Sequence, residues 1–231
     1  MKDPHIIQLR IGFTGPVVIT TGTDSVLVDT GVRGKMHEFE RQFQLHGIDP
    51  RTIRLIILTH VHYDHTGNLR ELKQLTGAPV VVNKREAEWL RTGLMPIPRG
   101  TYFFSRMIVA LGDLLMPGYA SPVPFEADIL TDEYMDLSPY GIRGEIIFTP
   151  GHTEGSQSVL VGKNLISGDC FFNIRNSMVF PPFANDIRQL LKSWEKVFAM
   201  GVETIYPGHG PILKVEDAQN VFAKRMSALK A

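Results

Sequence analysis

A chain of 231 residues with 43% hydrophobic and 21% charged residues has the composition of a soluble globular protein and the length to bury a substantial core. Lys and Arg number 24, as do Asp and Glu, so the basic excess expected of a nucleic-acid binder is absent. The single cysteine, Cys170, excludes an internal disulfide and fits a reducing compartment.

The N-terminal Met1-Lys2-Asp3-Pro4-His5 has no apolar stretch behind a basic start, and no apolar run approaches the length of a bilayer span. The expectation is a cytoplasmic protein with neither a membrane nor a nucleic-acid partner. Ile6-Leu9, Pro16-Ile19 and Ser25-Val28 read as strands, with Thr21-Gly22-Thr23-Asp24 as the turn between the last two. The third strand ends in Asp29-Thr30-Gly31. Lys35–His46 reads as a helix through Met36, Phe39, Phe43 and Leu45, closed by Gly47, with His37 and His46 facing solvent.

Next comes Leu55-Ile56-Ile57-Leu58, a buried strand by its run of branched residues, and directly after it Thr59-His60-Val61-His62-Tyr63-Asp64-His65-Thr66-Gly67-Asn68. Imidazole and carboxylate are the donors zinc takes where thiolate is absent. Side chains at i and i+2 on extended backbone point the same way, so His60 and His62 can grip one ion. Asp64 and His65 lie past the bend, free to reach a second. By the same alternation Tyr63 points away from them. Leu69, Leu72 and Leu75 then mark a helix that Gly77 stops.

Ala78–Val82 reads as a strand and Lys84–Arg91 as a helix. The stretch at about 93–129 is broken by prolines 96, 98, 117, 122 and 124, and between them Thr101–Met116 is strongly apolar with helical spacing. This insertion reads as a lid or pocket wall for an apolar substrate, as a homodimer surface, or as a segment packed on its own core. Ile142–Phe148 reads as a strand running into a second loop, Thr149-Pro150-Gly151-His152-Thr153-Glu154-Gly155-Ser156. Gln157–Val161 and Asn164–Ser167 form a strand pair ending in Gly168-Asp169-Cys170. Asn185–Met200 is a helix, Thr204–Tyr206 a strand leading into Pro207-Gly208-His209-Gly210-Pro211, and Val215–Leu229 a final helix.

His-x-His-x-Asp-His after an apolar strand, Thr-Pro-Gly-His-Thr-x-Gly-Ser, Gly-Asp at a strand end and the closing Pro-Gly-His-Gly together resemble the motifs of the metallo-β-lactamase fold superfamily, over nearly the whole chain. The resemblance implies an α/β fold, a four-layer αβ/βα sandwich of two mixed β-sheets with helices on the outer faces, here a single domain over 1–231. Ser25-Val26-Leu27-Val28 and Ser158-Val159-Leu160-Val161 give a faint echo of the two pseudo-twofold halves that such a fold implies.

It also implies two ions, expected as Zn2+ with Fe or Mn as the alternatives. His60, His62 and His152 hold the first, Asp64, His65 and His209 the second, and Asp169 bridges. Asp29 falls where the superfamily places a carboxylate beneath the metal site, which could hold a ligand histidine; the other reading is a strand-end Asp capping the next helix. Cys170 is an alternative ligand, but its position next to Asp169 on a strand points it to the opposite face.

The implied reaction is hydrolysis of an ester, thioester or lactone with a hydrophobic portion by a metal-bridging hydroxide. Asp64 either ligates the second ion or carries the proton to the leaving group. A β-lactamase is normally exported, and glyoxalase II carries a helical C-terminal domain. Lactonases place a Tyr shortly after the bridging Asp, where this chain has Phe171 and Phe172. The alternatives are a mononuclear iron persulfide dioxygenase held by His60, His152 and Asp169, and a non-catalytic metal-binding protein. Arg99, Arg106, Asn173 and Arg175 are the polar candidates for contact with a small-molecule substrate.

Overall fold

The computed structural model describes residues 3–96, 98–115, 121–174 and 178–230, and the side chains of 112–115 and 228–230 lie outside that description. Arg175, Met116 and Pro117 therefore fall outside the described residues, as do the side chains of Leu114 and Leu115.

Among the described residues twelve strands form two six-stranded sheets. The first runs in chain order: β1 (His5–Gln8), β2 (Val17–Thr20), β3 (Ser25–Val28), β4 (Ile53–Ile57), β5 (Val80–Asn83) and β6 (Ile129–Thr131). The second is β7 (Tyr134–Asp136), β8 (Glu145–Phe148), β9 (Gln157–Val161), β10 (Asn164–Gly168), β11 (Thr204–Pro207) and β12 (Leu213–Lys214). Both sheets are mixed. The antiparallel pairs β2–β3 and β9–β10 are each followed by a parallel step, β3–β4 and β10–β11.

That equivalence corrects the sequence echo. The repeated Ser-Val-Leu-Val belongs to β3 in one half and to β9 in the other, whereas the topological counterpart of β3 is β10. The true correspondence is that these two strands lead directly into Asp29 and Asp169.

Alternation along the strands builds the layers. Val26 and Val28 of β3, Leu55 and Ile57 of β4, Ile146 of β8, and Val159 and Val161 of β9 meet in one apolar cluster between the sheets. Their neighbours face outwards. Leu27 and Ile56 pack under α1 (Met36–His46), α2 (Leu69–Thr76) and α3 (Ala87–Thr92) through Phe39, Phe43, Leu69, Leu72 and Leu90. Ile147, Leu160 and Leu165 pack under α5 (Ile187–Ala199) and α6 (Val215–Lys230) around Trp194. The order helix, sheet, sheet, helix is the expected four-layer sandwich.

Local rules account for the boundaries. Asp186 caps α5 by accepting from the Gln189 N–H at 2.9 Å, and Gly77 ends α2 in a left-handed cap. Leu45 and Leu75, counted in the helical patterns above, are exposed near the ends of their helices. His37 and His46 are exposed as read.

Several described apolar side chains of the insertion are open to solvent. Helix α4 (Phe103–Leu115) presents Phe103, Met107, Ile108 and Leu111 to solvent at 81, 58, 55 and 55% exposure. Its root is fixed. Thr101 N–H donates to Pro182 O at 2.9 Å and Ala184 N–H to Arg99 O at 2.8 Å. Among the described residues no helix is long and apolar enough to cross a membrane.

Candidate metal centre

Three loops at strand ends, and the end of β10, converge on one buried group. The segment after β4 brings His60, His62, Asp64 and His65. The loop between β8 and β9 brings His152, the end of β10 brings Asp169, and the loop after β11 brings His209. All seven are at most 7% exposed. They form two sets whose donor atoms lie within 4.8 Å of one another: His60, His62, His152 and Asp169, and beside them Asp64, His65 and His209.

In the first set His62 Nδ1 lies 2.9 Å from His60 Nε2 and 3.0 Å from His152 Nε2. Asp169 Oδ2 completes it at 3.9 Å from His60 Nε2 and 3.5 Å from His152 Nε2. In the second, His65 Nε2 and His209 Nε2 are 3.4 Å apart, with Asp64 Oδ2 3.4 Å from His209. Asp169 turns its other oxygen, Oδ1, to this set, 3.2 Å from His65 Nε2 and 3.3 Å from His209 Nε2. One carboxylate thus faces both sets.

Four of the five imidazoles have their far nitrogen tied, which aims the near nitrogen inward. His65 Nδ1–H donates to Asp29 Oδ2 at 2.8 Å. His152 Nδ1–H donates to Phe183 O at 2.8 Å and His209 Nδ1–H to Phe13 O at 3.2 Å. His60 Nδ1 is 3.1 Å from Thr59 Oγ1, and the Thr59 hydroxyl donates onward to Asp29 Oδ2 at 2.8 Å. Asp29 also accepts from Thr59 N–H at 2.8 Å, so it stands behind both sets, as a carboxylate beneath the site and not as a helix cap. It does so with φ at 64°, a left-handed conformation uncommon outside glycine.

Electrostatics separate the two sets. Burial, with neighbouring histidines, holds His60 and His62 well below the ordinary imidazole pKa, and burial lowers His152 too. Burial works against charge on His65 and His209 as well, but Asp169 with Asp29, and Asp169 with Asp64, outweigh it and raise both. Burial opposes ionisation of Asp169, yet His209 and His65 hold it well below the carboxylate range. Three neutral imidazoles whose nitrogens crowd within about 3 Å, beside an ionised carboxylate, form a lone-pair cage suited to a cation. Asp169 Oδ1, which faces His65 and His209, is buried with no hydrogen-bond partner among the described residues, and a cation or its water would meet that demand.

Cys170 sits in the apolar cluster with Phe171 and Trp194, where burial pushes its thiol pKa up. Asn173 Nδ2 donates to Pro211 O at 2.9 Å, bracing the His209 loop. Arg99 and Arg106 come together with Arg188 on the wall of a cavity of about 640 Å³ between α4 and the start of α5. The wall at Asn185 is joined to the metal centre, its N–H donating to His152 O at 3.0 Å. Phe172 stacks on His209 with centroids 4.8 Å apart.

A model of the metallo-beta-lactamase superfamily matches residues 12–209. The chain belongs to that superfamily. It is 29% identical over 205 residues to a probable metallo-hydrolase of Methanocaldococcus jannaschii, covering 87% of this chain and 90% of that protein. A probable metallo-hydrolase of Bacillus subtilis is 28% identical over 200 residues, 84% of this chain and 85% of its own. An N-acyl homoserine lactonase of Azorhizobium caulinodans is 27% identical over 175 residues, 71% of this chain and 61% of that one. Among solved structures, an archaeal superfamily protein from Sulfolobus tokodaii shares the fold at TM-score 0.69 and 23% identity, covering 98% of this chain and 87% of its own. Another, solved in a di-iron-bound form, matches at TM-score 0.65 and 23% identity over 93% of this chain and 96% of its own.

The residues that reading the sequence missed are Glu86, Thr59 and the carbonyls of Phe13 and Phe183. A main-chain acceptor leaves no trace in residue type, and Glu86 falls in a segment whose lysine and arginine neighbours suggest a solvated helix start.

Proposed function

We propose that this superfamily member is a metal-dependent hydrolase of an ester, thioester or lactone, working with two divalent cations, zinc first and iron or manganese as alternatives. The observation that carries the reading is Asp169, which offers Oδ2 to the three-histidine set and Oδ1 to the set of Asp64, His65 and His209. Two such cations supply Lewis acidity and a water whose pKa is brought to about 7.

The chain's own residues do the rest. Asp29, Thr59, Phe183 and Phe13 hold four imidazoles in one tautomer and orientation. Asp64, its Oδ2 3.4 Å from His209 Nε2, would either ligate the second cation or take a proton and return it to the leaving group. Cys170 is closed off in the core and is not the nucleophile. The names of the M. jannaschii and B. subtilis relatives support hydrolysis in general. The A. caulinodans lactonase supports a lactone, although Cys170, Phe171 and Phe172 stand shortly after Asp169, where lactonases usually carry a Tyr.

The solvent-facing apolar side chains of α4 suit a hydrophobic portion of the substrate, and the cavity of Arg99, Arg106 and Arg188 suits an acidic group on it. A second copy of the chain seated on α4 is the competing use of that face. The expected compartment is the cytoplasm, where a lone thiol stays reduced.

A second reading, an iron persulfide dioxygenase, is favoured by one observation: His60, His152 and Asp169 alone make a compact two-histidine, one-carboxylate set. Elemental analysis of protein purified without chelator separates the two. Close to two zinc ions per chain, with turnover on a panel of lactones, thioesters, aryl esters and β-lactams, supports the hydrolase. Close to one iron, with oxygen uptake on a persulfide and no hydrolysis, overturns it.

A further inference from the structure

Glu86 belongs to neither set of candidate ligands, yet its carboxylate is wedged between the two loops that carry the three histidines. It is 0% exposed, directly before α3. Its Oε2 accepts from the backbone N–H of Val61 at 2.8 Å, the residue between His60 and His62. Its Oε1 accepts from the Gly155 N–H at 3.0 Å and from the Thr153 hydroxyl, next to His152. The second loop is drawn tight in turn, since Ser156 Oγ accepts from Thr153 N–H at 3.0 Å and lies 2.6 Å from Thr153 Oγ1. No other side chain hydrogen-bonds the backbone of both loops among the described residues.

The two loops are also shaped to receive this side chain. A Cβ on Gly155 would come within 2.5 Å of Glu86 Cγ, so the absence of a side chain there matches the presence of a long one opposite. Packing alone would not choose a carboxylate. Burial drives its pKa up to about 7, against the pull of the Thr153, Val61 and Gly155 donors. An apolar residue would fill the space without that penalty. What an apolar residue cannot do is accept from two backbone N–H groups on different loops at once.

We propose that Glu86 is a positioning residue of the metal centre, whose carboxylate fixes the 60–62 loop against the 152–155 loop and so sets the spacing of His60 and His62 from His152. This rests on the metal-centre reading above but not on the reaction. It concerns the three-histidine set, because the hydrogen bonds of Glu86 run to Val61, Thr153 and Gly155 beside His60, His62 and His152.

The test is a Zn2+ titration of full-length protein against a competing chelator, with Co2+ absorption spectra and apo-protein melting run beside it. Wild type, Glu86→Gln, Glu86→Ala and Gly155→Ala are compared. Loss of an outer partner of metal ligands typically lowers affinity about 10–100-fold. Glu86→Ala is expected to show that loss at one of the two sites and wild-type affinity at the other, with a changed Co2+ ligand-field band. Glu86→Gln, which keeps one carbonyl acceptor, falls between. Gly155→Ala displaces Glu86 from the opposite side and reproduces the Glu86→Ala signature.

Variants that melt lower but bind both ions with wild-type affinity and spectrum would reduce Glu86 to scaffold and overturn the proposal. Equal weakening at both sites would overturn it too. Should Glu86→Ala not fold, the other two variants decide. If wild type takes up no metal, the metal-centre reading falls first and this one with it.

Discussion

Asp29→Asn exchanges one carboxylate oxygen for an NH2 at a point where three donors meet. Thr59 N–H, the Thr59 hydroxyl and His65 Nδ1–H all point at Asp29, each at 2.8 Å in its shortest contact. An amide oxygen can satisfy the Thr59 N–H, but the NH2 then faces His65 Nδ1. That nitrogen must become an acceptor, which moves the imidazole proton to Nε2, the atom that faces His209 and Asp169. The lone pair needed by a cation is lost.

The magnitude follows from the bond removed. A hydrogen bond to a charged group contributes about 1.5–3 kcal/mol, which corresponds to roughly 10–150-fold in affinity at about 1.4 kcal/mol per decade. Backbone strain does not confound the substitution, because Asn tolerates the left-handed φ of 64° better than most residues. A chelator-competition titration should find the ion of Asp64, His65 and His209 weakened by one to two decades. The ion of the three-histidine set should be weakened less, since His60 is reached only through Thr59. Retention of both ions within twofold of wild type, or earlier loss from the three-histidine set, would refute this reasoning.

Asp169→Asn removes the carboxylate that faces both sets, and should lower hydrolytic turnover at least 100-fold while leaving the circular dichroism spectrum unchanged. Glu86 carries a pH dependence of definite sign: its folded pKa of about 7 lies above the value of 4.5, so its contribution is fully present below about 4.5 and lost as pH rises through 7. Over that window wild-type apo-protein should lose up to about 3 kcal/mol relative to Glu86→Gln. Urea unfolding at pH 5 and pH 8 checks it, Glu154 on the facing loop adding to the upward shift. Trp194→Ala empties the centre of the outer core, where the indole is fully buried and stacked at 4.3 Å on Phe171, and should cost about 3–5 kcal/mol in denaturant unfolding.

Much of this was legible in the sequence because the chemistry is local. His60, His62, Asp64 and His65 fall within six positions at the end of an apolar run, and His152, Asp169 and His209 each carry glycine neighbours that mark a sharp loop. The strands of the inner cluster announce themselves by branched side chains. Strands β6, β7 and β12 did not, being two or three residues long and paired at or near sheet edges, with too few positions for any alternation to show. The helical spacing over Thr101–Met116 located α4 but not its exposure, since periodicity reports one apolar face without saying what covers it. Glu86 was illegible for a different reason. Its partners are two main-chain N–H groups and a hydroxyl, 25 to 69 residues away, and only the folded chain brings them to it.

Each set of candidate ligands draws on both halves of the chain. The contact of His62 with His152 spans 90 residues and that of His65 with His209 spans 144. With one cysteine, this chain has no covalent means of closing loops of that size. A cation gripped from both sides would act as a cross-link in its place, narrowing the unfolded ensemble wherever it stays bound and tying the melting of one sheet to the melting of the other.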